Sequence, residues 1–175
     1  MIEINYETKA FTLIELLVVV AIVGILSAVG VVAYNGYTTA AKNNATKQIH
    51  KNVARFISAE TKKCSIGGEV ILNKLVSGTV TAQADLCPKI NNWTDPNISS
   101  TIDAFAYHFQ AENWMNPHLT QTIAVSRCSV DVTRKDVYGN LGLTCIDADF
   151  YGKKFEIGTN ISEKGEKMFT LVGID

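Results

Sequence analysis

A single carboxylate, Glu15, lies at the edge of a stretch that carries no other charge before Lys42. Residues 16–34 read LLVVVAIVGILSAVGVVAY, and Ser27 is the one clearly polar side chain among them. At mid-helix an acidic side chain opposes insertion into lipid by ~2.5–3.5 kcal/mol, and near a helix end by less. A carboxylate kept in such a place is a candidate functional group with a cationic partner. The stretch contains no basic side chain, so that cation must come from elsewhere.

Cysteine is the second residue type with chemistry to offer, at Cys64, Cys87, Cys128 and Cys145. Four cysteines permit three disulfide pairings, which the sequence alone does not distinguish. No two of them have the C-x₂₋₄-C spacing of a zinc site. We favour the nearest-neighbour pairing, Cys64–Cys87 and Cys128–Cys145, in which each bond closes a loop of roughly 20 residues and stabilises by ~3 kcal/mol.

The other titratable side chains form no recognisable catalytic pattern. The histidines are His50, His108 and His118, and none has a nucleophile or metal ligand beside it in the sequence. The clustered aspartates are Asp131, Asp136, Asp147 and Asp149. They lack the spacing of an EF-hand loop, so solvated loops are the better interpretation. Phosphate-binding glycine loops and nucleophile elbows are also absent. We therefore expect no enzyme, no metal and no cofactor.

The uncharged stretch is long enough to cross a membrane as one helix. Because a helix rises about 1.5 Å per residue, ~20 residues span the ~30 Å hydrocarbon core. Tyr34 and Tyr37 close the stretch, where amphipathic rings suit the headgroup layer. A secretory signal peptide would instead have a basic start and an apolar part of roughly 7–15 residues. Residues 1–9, MIEINYETK, are net acidic and the apolar part is longer.

The helical pattern continues beyond the membrane span, and no proline interrupts it. One apolar stripe at helical spacing comprises Ile49, Val53, Phe56 and Ile57. We predict one continuous helix from about Thr12 to about Thr61. Since its first half is apolar all round, that half needs lipid or other copies of the chain around it.

The polar half of this helix is basic, with six Lys and Arg residues against Glu60 between Lys42 and Lys63. One interpretation is attraction to anionic lipid or to DNA. The other is a solvated helix face that contacts neighbouring subunits. We favour the second, because the charges are dispersed and no aromatic stacking platform lies among them. DNA is thus a weak candidate partner.

The nine residues Lys9–Leu17, KAFTLIELL, resemble the cleavage and methylation motif of type IV prepilins and type II secretion pseudopilins. The resemblance extends from Ala10 to about Tyr37, and it is only architectural beyond about Cys64. It implies a leader of residues 1–10 that a prepilin peptidase removes between Ala10 and Phe11. It further implies N-methylation of the new amino group on Phe11 and pairing of that group with Glu15 of a neighbouring subunit.

Three features depart from the usual pattern of that family. Ala10 stands where glycine is usual before the cut, and Val32 stands where many pilins have proline. The leader is net acidic rather than basic, which weakens the positive-inside signal. Gly24 and Gly30 remain as weak points of the helix, each costing up to ~1 kcal/mol relative to alanine.

The resemblance implies a structural subunit of a type IV pilus, a helical filament of identical subunits built by pilus assembly machinery. The precursor would span the inner membrane once, with its head outside the cytoplasm, and the assembled pilus would be extracellular. Adhesion, twitching motility or DNA uptake would be its roles. A type II secretion pseudopilin, a minor pilin and a single-span membrane-anchored binding protein remain alternatives.

The predicted fold is α+β and pilin-like: a helix over residues 11–61, with 11–37 in the membrane or filament core, packed on an antiparallel sheet in a head of residues 62–175. Alternation and β-branched runs predict the following strands: Phe105–Phe109, Ile123–Val125, Cys128–Val132, Leu143–Cys145, Phe155–Ile157 and Met168–Val172. Residues 67–100 are expected to be irregular, and Gly158–Asn160 to form a turn. Trp93 and Trp114 are interpreted as anchors of the head core.

Overall fold

The computed structural model describes residues 11–131, 136, 137 and 139–174. Two compact units divide between Ala40 and Ala41. The helices are α1 Leu13–Ser65, α2 Cys87–Asn91 and α3 Asp95–Ala111. The strands are β1 Asn73–Val76, β2 Thr79–Ala82, β3 Val125–Arg127, β4 Val130–Asp131, β5 Asp136–Val137, β6 Thr144–Asp149, β7 Lys154–Asn160 and β8 Lys167–Gly173.

Helix α1 is continuous over 53 residues, as the unbroken helical pattern predicted. It starts one residue later than expected and ends four residues later, at Ser65. From residue 13 to residue 40 the side chains of α1 are almost all exposed, so the described residues leave this apolar stretch uncovered. From Thr46 onward one stripe is buried, and Val53 and Ile57 of the predicted stripe are fully covered.

A four-stranded sheet in the order β3-β6-β7-β8 carries the head. Strands β6, β7 and β8 are antiparallel to one another, whereas β3 lies parallel to β6, so the sheet is mixed rather than purely antiparallel. The buried stripe of α1 shares one apolar core with Phe155 and Ile157 of β7. A helix layer against one sheet face is the predicted α+β arrangement. Two small hairpins, β1–β2 and β4–β5, complete the head among the described strands.

The strand predicted over Phe105–Phe109 is wrong, because these residues lie in α3. Pro96 stands in the first turn of this helix, where a missing N–H costs nothing. The large apolar side chains of the helix that are fully buried are Ile98, Ile102, Phe105 and Phe109, which follow helical rather than strand spacing. Tyr107 would share a strand face with both phenylalanines, yet its side chain is 41% exposed.

The segment expected to be irregular, residues 67–100, is also largely ordered. It contains the β1–β2 hairpin, α2 and the start of α3. Ser77 and Gly78 connect the two strands with φ angles of 49° and 82°. A type I′ turn requires positive φ at both central residues, and its backbone twist matches that of the two strands it connects.

The turn predicted at Gly158–Asn160 is wrong as well, because these residues are the end of β7. The chain reverses instead at Ser162–Gly165, where the Gly165 N–H donates to the Ser162 carbonyl oxygen over 3.0 Å. The remaining predicted strands coincide wholly or partly with described strands. The strand predicted over Ile123–Val125 is reduced to its last residue, since Ile123 makes only an isolated bridge to Met115.

Gly158 is a glycine because the β4–β5 hairpin packs directly over it. A Cβ atom at this position would lie 2.8 Å from Val137 and 2.9 Å from Val130. Both neighbours are short, branched and buried, so neither can move aside without repacking. We expect Gly158→Ala to destabilise the head by about 1–3 kcal/mol, measured as a lower midpoint of thermal unfolding. In a background with Val130→Ala and Val137→Ala the same substitution should cost little; an equal cost there would contradict this explanation.

Both disulfides have the nearest-neighbour pairing favoured from the sequence. Cys64–Cys87 joins the end of α1 to α2, and Cys128–Cys145 joins the segment after β3 to β6. The Cα atoms of each pair are 5.1 Å apart. Each bond therefore links two segments of the head that are 23 and 17 residues apart in sequence, respectively.

The two tryptophans pack against that core, as predicted. The Trp93 ring lies edge-on to Phe155 at 5.2 Å between centroids, and the Trp114 ring lies 4.8 Å from Phe109. Both side chains are therefore built into the head rather than presented for binding.

Candidate functional site

The start of α1 is held by a reciprocal pair of side chains, Thr12 and Glu15. The Thr12 backbone N–H donates to Glu15 Oε2 over 2.9 Å, and the Thr12 hydroxyl donates to the same oxygen over 2.6 Å. The Glu15 N–H in turn donates to Thr12 Oγ1 over 3.3 Å. This is a capping box, in which the residue before the helix and the third helical residue satisfy each other's backbone donors.

Sequence reasoning identified Glu15 but not Thr12 as part of this site. The signal was present, because Thr-x-x-Glu before an apolar run is the pattern of a capping box. The capping box gives one reason for a carboxylate at the edge of an apolar stretch. Glu15 is useful to its own helix, since it accepts hydrogen bonds that a helix start otherwise leaves unmade.

One oxygen of this carboxylate remains available. Both Thr12 donors meet Oε2, and no hydrogen bond to Oε1 is found within the described part of the chain. Glu15 is also exposed, as is Phe11, whose side chain is 76% exposed. The capping geometry thus orients the Glu15 carboxylate while leaving an oxygen free for a cation from another molecule.

The helix that follows can cross a membrane by length and composition. Its mean hydropathy reaches 3.0 over an 18-residue window, and none of that window is buried by the described residues. The Ser27 hydroxyl donates to the Val23 carbonyl oxygen over 2.7 Å, so its polar group is satisfied inside the helix, as lipid requires. Tyr34 and Tyr37 are 68% and 74% exposed, free to meet a headgroup layer.

The remaining predicted site residues are distributed as follows. Ala10, before the proposed cut, lies outside the described residues. Phe11 lies two residues before the first residue of α1, and Glu15 lies in the first turn of that helix. In the intact chain the Phe11 nitrogen is an uncharged amide, and it would become a protonated amino group only on cleavage of its bond to Ala10.

Two of the histidines make hydrogen bonds within the head, and one of them, His50, is buried in its core. His50 is fully buried, with Nδ1 2.8 Å from the Thr159 hydroxyl and Nε2 2.8 Å from the Thr170 hydroxyl. Burial, and secondarily the charge of Lys51, lowers the pKa of His50 to about 4. His108 stacks on Phe56, and burial lowers its pKa as well.

The aspartates near β6 serve backbone donors. Asp147 accepts from the N–H groups of Val130 and Ala148, each over 3.0 Å. Asp149 accepts from the N–H groups that follow it in the β6–β7 turn. No group of three or more His, Cys, Asp or Glu placed to hold a metal ion occurs in the described ranges.

The basic face of α1 makes two ion pairs. Lys47 Nζ lies 2.6 Å from a Glu166 carboxylate oxygen, which fixes α1 to the β7–β8 turn. Lys63 Nζ lies 2.6 Å from a carboxylate oxygen of Glu60, which precedes it by about one helical turn. Both pairs are partly exposed, so each contributes no more than ~1 kcal/mol.

Residues 8–31 match the family model described as the prokaryotic N-terminal methylation motif. This is the leader signature of type IV pilins and pseudopilins, and it covers the capping box and most of the apolar stretch. No solved structure matches the chain. The motif supports a type IV pilin-like or pseudopilin precursor, the exposed apolar helix is suited to a membrane anchor, and the α+β fold is pilin-like.

Proposed function

We propose that this chain is a structural subunit of a type IV pilus, assembled from an inner-membrane precursor after its leader is removed. The observation that carries the proposal is the coincidence of three features at one place. The methylation motif, the capped Glu15 and the exposed apolar half of α1 occupy the same few turns. The subunit performs no catalysis, and the filament serves adhesion, twitching motility or DNA uptake.

Leader removal creates the missing cation. Hydrolysis of the Ala10–Phe11 bond leaves a carboxylate on Ala10 and an amino group on Phe11, which is protonated at neutral pH. N-methylation of that amine retains its positive charge. The Phe11 ammonium of one subunit then pairs with Glu15 Oε1 of the next, while Thr12 holds Oε2.

The pairing can propagate along a filament. A subunit whose Phe11 pairs with one neighbour can accept the cation of another neighbour at Glu15, which makes the contact heterologous. A heterologous contact whose rotation does not close generates an open helix of subunits. Because an unpaired charge in an apolar bundle is costly, the pair also fixes the register of neighbouring helices.

The exposed apolar half of α1 provides the driving force. More than a dozen large apolar side chains between residues 11 and 37 are at least half exposed. Such a surface is stable only in lipid or against similar surfaces. The apolar surface is covered by lipid in the bilayer and by other helices in a helical bundle. The subunit can therefore leave the membrane without exposing this surface to water.

The first test is intact-mass and peptide-fragment spectrometry of the protein from membranes and from sheared surface filaments. We expect a mature chain that begins with N-methylated Phe11 and has lost residues 1–10. A filament protein that retains its leader, or that starts elsewhere, would contradict the proposal.

A pseudopilin or minor pilin is the second candidate, since the methylation motif is common to these proteins. Abundance separates the candidates. A major pilin should dominate sheared filaments, whereas a pseudopilin should remain with the membrane fraction while carrying the same processed N-terminus.

A further inference from the structure

A groove of about 640 Å³ lies in the head between α1 and the outer strand β8. Its wall on the strand side is formed by Thr170–Gly173 of β8. On the helix side three small residues, Ala54, Ser58 and Ala59, leave room for another chain to approach. Both walls belong to the same compact unit, so the groove is a feature of the head itself.

The strand wall of the groove has an open backbone edge. Strand β8 pairs along its whole length with β7 and is the last strand of the sheet among the described residues. Every second residue of such a strand directs its N–H and C=O away from the sheet. Within the described part of the head, no hydrogen bond from outside the sheet reaches the backbone of Thr170–Gly173. An open edge of this kind is completed by an extended peptide that adds as a further strand.

The helix wall carries two cations, Arg55 and Lys62, which are exposed. Unlike Lys47 and Lys63, neither makes an ion pair with any described residue. Their seven-residue separation on the helix corresponds to about 10 Å. Side chains on one face of a strand repeat every ~7 Å, which the flexible Arg and Lys stems can accommodate. The charges therefore fit carboxylates on alternate residues of an added strand.

We propose that this groove docks an extended acidic segment of a partner protein, which pairs with β8 through its backbone and with Arg55 and Lys62 through its carboxylates. Phosphate groups of DNA or lipid would satisfy the cations but not the open backbone edge. A second copy of this chain fits less well. Its exposed hairpin β1–β2 offers strands for pairing, but Lys74 is the single charged residue of these strands and would repel the two cations. The inference does not depend on whether the chain forms a pilus.

The test is fluorescence anisotropy with the full chain in detergent micelles. The probe is a short labelled peptide that alternates glutamate with valine. Two matched peptides separate the two kinds of contact: glutamine in place of glutamate removes the charges, and proline in place of valine removes the backbone donors. The protein variant is Arg55→Glu with Lys62→Glu. Its matched control is Lys89→Glu with Lys164→Glu, which changes the net charge equally at exposed positions outside the groove.

The proposal predicts saturable binding of the glutamate–valine peptide, about tenfold or more weaker for the groove variant and unchanged for the control variant. Both matched peptides should also bind about tenfold more weakly. Absence of binding, equal loss in both protein variants, or full binding of the proline peptide would overturn it. Light scattering that shows dimers dissociated by the groove variant would overturn it in favour of a second copy as occupant.

Discussion

Replacing Glu15 with glutamine is expected to leave leader cleavage intact and to reduce surface filaments by about 100-fold. Glutamine removes the charge but preserves the side chain that the capping box uses, since Gln and Glu both serve at the third helical position. The Phe11 ammonium would then enter an apolar bundle without a counter-ion. Removing one partner of a buried pair costs about 3–5 kcal/mol, and each 1.4 kcal/mol is a factor of ten. The measurement is quantification of sheared filaments, with intact mass as the check on processing.

Thr12→Ala is the matched control, because it breaks the capping box and keeps the Glu15 charge. Loss of the cap costs ~1 kcal/mol of helix stability. This variant should therefore assemble several-fold less well than the natural chain but far better than Glu15→Gln. The reverse order, with Glu15→Gln fully piliated and Thr12→Ala defective, would mean that Glu15 acts only on its own helix and would contradict intersubunit pairing.

The membrane helix and the outline of the head could be predicted from the sequence because their signals are local. An uncharged stretch that proline does not interrupt leaves the backbone one solution in lipid, a helix. Each of the strands β6, β7 and β8 contains a short run that predicts a strand, although β6 and β7 extend well beyond those runs. The signal of the capping box is equally local, since Thr12 and Glu15 are three residues apart.

Helix α3 was misassigned because its pattern satisfies two periods. Phe105 and Phe109 are four residues apart, which places them on one face of a helix and also on one face of a strand. The deciding signals lay outside the short window, in Pro96 and in the buried Ile98 and Ile102. The β1–β2 hairpin had a usable signal in Ser77-Gly78, a dipeptide that marks turns.

The surroundings of His50 could not be predicted from the sequence at all. Its two hydroxyl partners, Thr159 and Thr170, are 109 and 120 residues away along the chain. Only the packing of α1 across β7 and β8 brings the three side chains together. The Thr159 hydroxyl also donates to the Thr144 hydroxyl over 2.9 Å, so one buried polar chain links the helix to three strands.

This buried imidazole is expected to make the head sensitive to acid. The pKa of His50 is about 4 in the folded head against 6.5 as its ordinary value, because burial disfavours the charged ring. A lowered histidine pKa gives stability that is present above the unfolded pKa and is lost as pH falls through the folded one. We therefore expect the free energy of unfolding to drop by about 3 kcal/mol between roughly pH 7 and pH 4 on account of His50.

His50→Gln isolates this effect, since glutamine can hydrogen-bond to Thr159 and Thr170 but does not titrate. The variant should be less stable than the natural chain near neutral pH, and the difference should shrink steadily towards about pH 4. Urea unfolding of the full chain in detergent, followed by tryptophan fluorescence, measures the head because Trp93 and Trp114 pack on its core. Parallel pH profiles for the two proteins would contradict the assignment, since His108 and His118 titrate in both. Converging profiles would place the acid sensitivity at the contact between α1 and the sheet, where His50 lies and where burial disfavours its charged ring.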